Sequence, residues 1–98
     1  MLNRNEVESF LGKLSNDNRI NVWHISLLIA VLCLWRQNSF RWPVKITRTQ
    51  LMILARFKSV ATYHKCLSKL VALGYVNYSP TFDSYTGSTI EINYTAHY

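Results

Sequence analysis

Between residues 25 and 35 the chain reads Ile-Ser-Leu-Leu-Ile-Ala-Val-Leu-Cys-Leu-Trp, and Ser26 is its one polar position. In a helix each side chain advances by about 100°, so Ile25, Leu27, Leu28, Ile29, Val31, Leu32, Leu34 and Trp35 point in nearly every direction. Such a helix needs cover on several sides. The run is too short for the ~20 residues a membrane span requires, and no membrane role is expected. A chain of 98 residues builds one core rather than two, so this helix, read over residues 22–36, stands at the centre of one domain or against a second copy.

Local signals order the remaining elements. Val7, Phe10, Leu11 and Leu14 share a stripe of a first helix over residues 6–14, with Asn5 as its cap. Residues 43–46 read as a short extended piece. Thr47-Arg48-Thr49-Gln50 then forms a capping box, with Ile46 and Leu51 as its hydrophobic staple, and starts a third helix whose inward positions are Leu51, Leu54 and Ala55. The pattern lapses at Phe57-Lys58. Ser59 caps a fourth helix carried by Tyr63, Cys66, Leu67 and Leu70 and stopped by Gly74. Residues 75–79 and 88–94 alternate as strands and predict a hairpin around a loop over residues 80–87. The expected class is mainly α with a small β-hairpin (α+β), in the order helix, short strand, helix, helix, strand, loop, strand. One domain fills residues 1–98: a helical extension (1–20), a core (21–94) and a tail (95–98).

The charge distribution narrows the partner. Of a net +6, nine cations fall between Asn18 and Phe82, a stretch without any Asp or Glu. A field of that kind attracts polyanions, and nucleic acid is the expected one. Cys33 and Cys66 form no CxxC pair and are expected to be small buried hydrophobes. The first residues show no apolar signal core, which points to a cytoplasmic protein.

Two helices joined by a short turn are the spacing of a helix-turn-helix. The phrases Ile46-Thr47-Arg48, Ala61-Thr62-Tyr63-His64-Lys65-Cys66-Leu67, Leu73-Gly74-Tyr75 and Gly87-Ser88 resemble those of small winged-helix (winged helix-turn-helix) regulators associated with bacterial mobile elements. The resemblance covers residues 21–94 and implies DNA binding and transcriptional control. The chain departs from that family in its loop, where residues 80–88 carry no cation and include Asp83.

In a helix-turn-helix the second helix enters the major groove, which is wide enough to admit it and shows a distinct donor and acceptor pattern for each base pair. The expected base-reading residues are Thr62, His64, Lys65, Ser68 and Lys69, beside the short Ala61. Thr47, Arg48, Thr49, Arg56, Lys58 and Ser59 are the expected phosphate contacts, since a helix crossing the DNA backbone offers N–H groups and cations. Phe82, Tyr85, Gly87 and Ser88 are the wing candidates, and Tyr78 belongs to the core. Double-stranded DNA and a second copy, docked through the first helix, are the expected partners. A protein-protein adaptor and a replication or excision accessory factor of a mobile element are the alternatives.

Catalysis is not expected. Glu6 and Glu8 diverge on a helix, and His24, His64 and His97 have no metal-ligand spacing with Cys33 or Cys66. No phosphate loop, nucleophile elbow or HExxH occurs, so no metal or cofactor is expected. No sequence signal identifies a small-molecule effector.

Overall fold

The structure, a computed structural model, describes residues 4–81 and 87–94. Its elements run α1 (Arg4–Asn16), α2 (Val22–Gln37), β1 (Val44–Ile46), α3 (Arg48–Ala55), α4 (Val60–Ala72), β2 (Val76–Ser79) and β3 (Ser88–Ile92). The α+β expectation holds, with four helices and a small antiparallel sheet among the described residues. No helix among them is long and apolar enough to cross a membrane. Phe82, Tyr85 and the tail 95–98 lie outside the described residues.

Helix α2 is central and covered by several elements, with one arc left open. Leu27, Leu28, Ala30, Val31 and Leu34 are buried, whereas Val22, Ile25, Ile29 and Cys33 line an open arc. The expected cover on several sides is present apart from that arc, and Cys33, expected to be buried, is exposed. The break in the apolar run has a partner: the Ser26 hydroxyl donates to the Ala55 carbonyl at 2.6 Å and ties the end of α3 to α2. A helix C-terminus leaves such carbonyls without intrahelical donors, so one polar group inside an apolar face finds its match there.

Each helix start and stop has a local cause. Thr47 Oγ1 accepts from Gln50 N–H at 3.1 Å while Gln50 Oε1 accepts from Thr47 N–H at 3.0 Å, and Ser59 Oγ accepts from Thr62 N–H at 3.2 Å. At the far end of α4, Tyr75 N–H donates to Leu70 C=O at 2.9 Å and Gly74 N–H to Val71 C=O at 3.0 Å, with Gly74 at φ 82°. This is a Schellman closure, and glycine suits its left-handed position. Helix α3 closes the same way, Phe57 N–H onto Met52 C=O at 2.9 Å and Arg56 N–H onto Ile53 C=O at 3.3 Å, but the residue at φ 65° is Arg56. Ser39 takes that place after α2, at φ 57°.

Strand β3 lies between the others, in the order β1-β3-β2, with Val44 opposite Ile90 and Val76 opposite Ile92. The expected hairpin thus gains β1 as a third strand on the far edge of β3. Val44, Ile46, Val76, Ile90 and Ile92 turn one face of the sheet into the core. Tyr78 is half-buried against that core.

Helix α1 runs further than expected at both ends and begins before Asn5, which is inside the first turn rather than its cap. Its stripe is narrower than its sequence suggests. Phe10 is buried, edge-on to Tyr75 and Tyr94, and Leu14 packs partly, but Val7 and Leu11 stay exposed. A helix docked by its C-terminal half onto two rings has no core to offer the other apolar positions. Leu54 of α3 is likewise exposed, at 37%, because Met52 turns inward and α3 meets α2 through Leu51 and Ala55.

The asymmetry of α2 is open to a direct check. Leu27→Ala is expected to cost about 2–5 kcal/mol in a urea melt by leaving a cavity, and Ile29→Ala less than about 1 kcal/mol. Equal losses would mean that the open arc is covered.

Candidate nucleic-acid interface

Helix α4 presents its short and charged residues outward because Tyr63, Cys66, Leu67 and Leu70 occupy the opposite side. Ala61, Lys65, Ser68 and Ala72 form the exposed crest, with His64 on one shoulder and Thr62 and Lys69 on the other. The five expected base-reading residues therefore split. His64 and Ser68 face a hollow of about 350 Å³ shared with Leu67, Val71 and Tyr78, on the β2 side. Thr62, Lys65 and Lys69 face a cleft of about 410 Å³ against the start of α2, where Arg19, Trp23 and His24 form the other wall.

The expected phosphate contacts border this helix. Thr47, Arg48 and Thr49 are exposed at the start of α3, and Arg56, Lys58 and Ser59 are exposed along the turn between α3 and α4. Arg48 lies close enough to Tyr63 to favour its phenolate, but burial dominates, Tyr78 adds to it, and the phenol is pushed up to about 12. The Thr47 and Ser59 hydroxyls each accept a helix N–H and keep a proton to donate. Arg56 has a second occupation: its guanidinium donates to the Ile53 carbonyl at 3.3 Å, a favourable place for a cation at a helix C-terminus. On the wing side, Ser88 Oγ accepts from Thr81 N–H at 3.3 Å, and Gly87 stands at φ 68°. Both are half-buried at the base of the loop rather than presented to a partner.

Two residues of this region were not singled out in the sequence. Asp17 accepts from Arg19 Nε at 2.8 Å and from the Tyr75 hydroxyl at 2.7 Å. Arg19 and Tyr75, in that order, hold its carboxyl well below the usual carboxylate range. The acid just before the acid-free stretch thus anchors the link between α1 and α2 to the strand side of the domain. His24 is 6% exposed, and its Nδ1 accepts the Asn21 N–H at 3.0 Å, closing a capping box in which histidine replaces the usual Glu or Gln. Burial lowers its pKa first and the Lys69 ammonium second, with Asp17 acting weakly against them. The Asn-x-x-His spacing before an apolar run was the available signal.

Cys66, buried in the wall of the cleft, has its thiol pushed up by burial and only partly offset by Lys65, which makes it a poor nucleophile at neutral pH. Among the described residues no three His, Cys, Asp or Glu side chains gather as metal ligands. No protein-family model, no curated protein and no solved structure matches the chain.

Two stability measurements test these local assignments. Since the folded protein holds His24 below the ordinary value of ~6.5, the unfolded chain takes up that proton first. Stability is then full above that value and falls as pH drops through it toward the folded pKa, and His24→Gln flattens this limb in urea melts between pH 7.5 and 5. The left-handed Arg56 gives the second test: Arg56→Gly is expected to be about 1 kcal/mol more stable than Arg56→Ala, because both lose the guanidinium and only alanine keeps a Cβ at positive φ. Equal stabilities would remove the strain assigned to that position.

Proposed function

We propose that the chain is a winged helix-turn-helix domain that binds double-stranded DNA as a transcriptional regulator, with α4 in the major groove and no catalytic role. The observation that carries this reading is the surface around α4: a crest of Ala61, Lys65 and Ser68 narrow enough to approach base edges, bordered by exposed Arg48, Arg56, Lys58 and Lys69. Of the described carboxylates Glu6 and Glu8 lie on α1 and Glu91 on β3, and Asp17, beside the cleft, is engaged by Arg19 and Tyr75. Field and shape agree, since cations supply the sequence-independent part of binding and a slender helix face supplies access to the bases. The element order supports it too: helix, strand, helix, helix and two strands, with the first strand paired to the last, is the order expected of a winged helix.

Within this reading Lys65 addresses base edges and Arg48, Arg56 and Lys58 hold phosphates. A homodimer on paired half-sites belongs to the same proposal, with Val7 and Leu11 of α1 and Ile25 and Ile29 of α2 as exposed apolar residues for a second copy to cover. The adaptor alternative predicts no affinity for DNA. An accessory factor of replication or excision binds DNA but leaves transcription from neighbouring promoters unchanged.

Binding to random duplex DNA across a salt series separates the adaptor from the DNA binder before any operator is known. Arg48→Ala is expected to weaken binding to all duplexes alike and to reduce the salt slope by about one. Lys65→Ala is expected to cost ~1–3 kcal/mol on a selected site and much less on random DNA. A wild-type chain without salt-dependent duplex binding would sink the proposal, and equal losses on both DNAs would move Lys65 to the backbone.

A further inference from the structure

His24 holds an uncommon position for a buried histidine. Its Nδ1 accepts the Asn21 N–H, so the neutral ring carries its proton on Nε2, at the opposite edge. That N–H has no partner among the described residues, although the side chain is more than nine-tenths buried and lines the cleft between α2 and α4. The buried polar side-chain atoms without a partner among the described residues are Trp35 Nε1 and Tyr94 Oη, so the His24 N–H keeps its access to solvent through the cleft. Among the residues of α4 that line the cleft with it are Lys65 and Lys69, whose ammoniums only donate, and Thr62, whose hydroxyl can donate or accept. The neighbouring carboxylate, Asp17, is engaged by Arg19 and Tyr75. Trp23, tilted against Phe57 at 5.4 Å, closes the cleft on its apolar side. Donors from two elements thus converge on a space that nothing anionic among the described residues fills.

We propose that this cleft is a phosphate site, taking a tetrahedral oxyanion between His24 Nε2–H and the Lys69 and Lys65 ammoniums, with the Thr62 hydroxyl as a further donor. A phosphate has several acceptor oxygens and full negative charge, which matches a set of donors two of which are cations. The phosphate can come from the DNA backbone or from a free phosphate monoester. The first source rests on the DNA-binding reading, turns Lys69 from a base reader into a backbone clasp and divides Lys65 between the backbone and the base edges. The second is independent of it and would make the cleft an effector site, sharing Lys65 with the reading face. Lys65, Lys69, Arg19 and the neutral Cys66 thiol face His24 across the cleft, and of these Lys69 disfavours its charged form while Asp17 favours it; a bound phosphate adds negative charge there and so favours the imidazolium.

The test is an NMR titration of the full chain with inorganic phosphate at constant ionic strength, following the ring signals of His24 and His64. A saturable shift of His24 at roughly millimolar phosphate, an upward move of its pKa and no matching change at His64 are expected. Lys69→Gln, at an exposed position, is expected to keep the melting temperature and weaken phosphate binding about tenfold or more. The absence of a saturable shift, equal shifts of both histidines, or an unchanged affinity in Lys69→Gln would each overturn the site. A short duplex that displaces phosphate and produces the same His24 shift identifies the backbone as the source; phosphate that stays bound beside a saturating duplex identifies a free monoester. Phosphate binding without any duplex binding leaves the site standing and ends the DNA reading, and duplex binding without phosphate binding does the reverse.

Discussion

Leu27 and Val31 of α2 are wholly removed from water, and the elements packed against them take their positions by supplying the apolar surface that does this. Leu51 and Ala55 bring α3 to one side, Leu67 and Leu70 bring α4 to another, and Ile90 and Ile92 bring the sheet. Apolar burial sets proximity but not angle. The Ser26–Ala55 hydrogen bond adds direction, because it fixes the end of α3 to one turn of α2 and with it the turn that leads into α4. The relative placement of the two helices of the candidate interface thus depends on a hydroxyl in an otherwise apolar face.

Much of this was legible locally. The Thr47–Gln50 box, the Ser59 cap and Gly74 at the end of α4 follow from interactions within a few residues, and the structure has each of them. The buried side of α4 was equally readable from the spacing of Tyr63, Cys66, Leu67 and Leu70. Periodicity failed where the number of covering partners mattered. Val7, Leu11 and Leu54 sit at apolar positions of their helices, yet whether such a position is covered depends on a neighbour from elsewhere in the chain. The open arc of α2 has the same origin.

The candidate site was legible as a set of residues and not as a geometry. Composition and helix phase identified Thr62, His64, Lys65, Ser68 and Lys69 together, but α4 lies between two different neighbours, so its shoulders open onto different hollows. The roles of Asp17 and His24 were not legible for a related reason. The bond from Tyr75 to Asp17 joins residues far apart in sequence, and the burial of His24 comes from the packing of α2 against the rest of the domain, which no spacing within α2 announces.

Arg56 brings the two halves of the molecule into relation. Glycine at the closing position of α3 would avoid the Cβ clash of a left-handed backbone, as Gly74 does at the end of α4. The hydrogen bond from Arg56 to the Ile53 carbonyl returns little at an exposed site, where water competes for both partners. Stability therefore favours a different residue at this position. A cation is nevertheless present in the turn that separates the two helices, with Lys58 beside it and Arg48 exposed at the other end of α3. Under the proposed DNA binding, charge is what this position would be kept for. The same logic applies at Lys69, which disfavours the charged form of a neighbouring histidine and yet stays on the rim of the cleft. At Lys69 the cation opposes the local energetics of the folded chain and an incoming phosphate would relieve that opposition, whereas at Arg56 the opposition lies in the left-handed backbone, which a phosphate leaves unchanged.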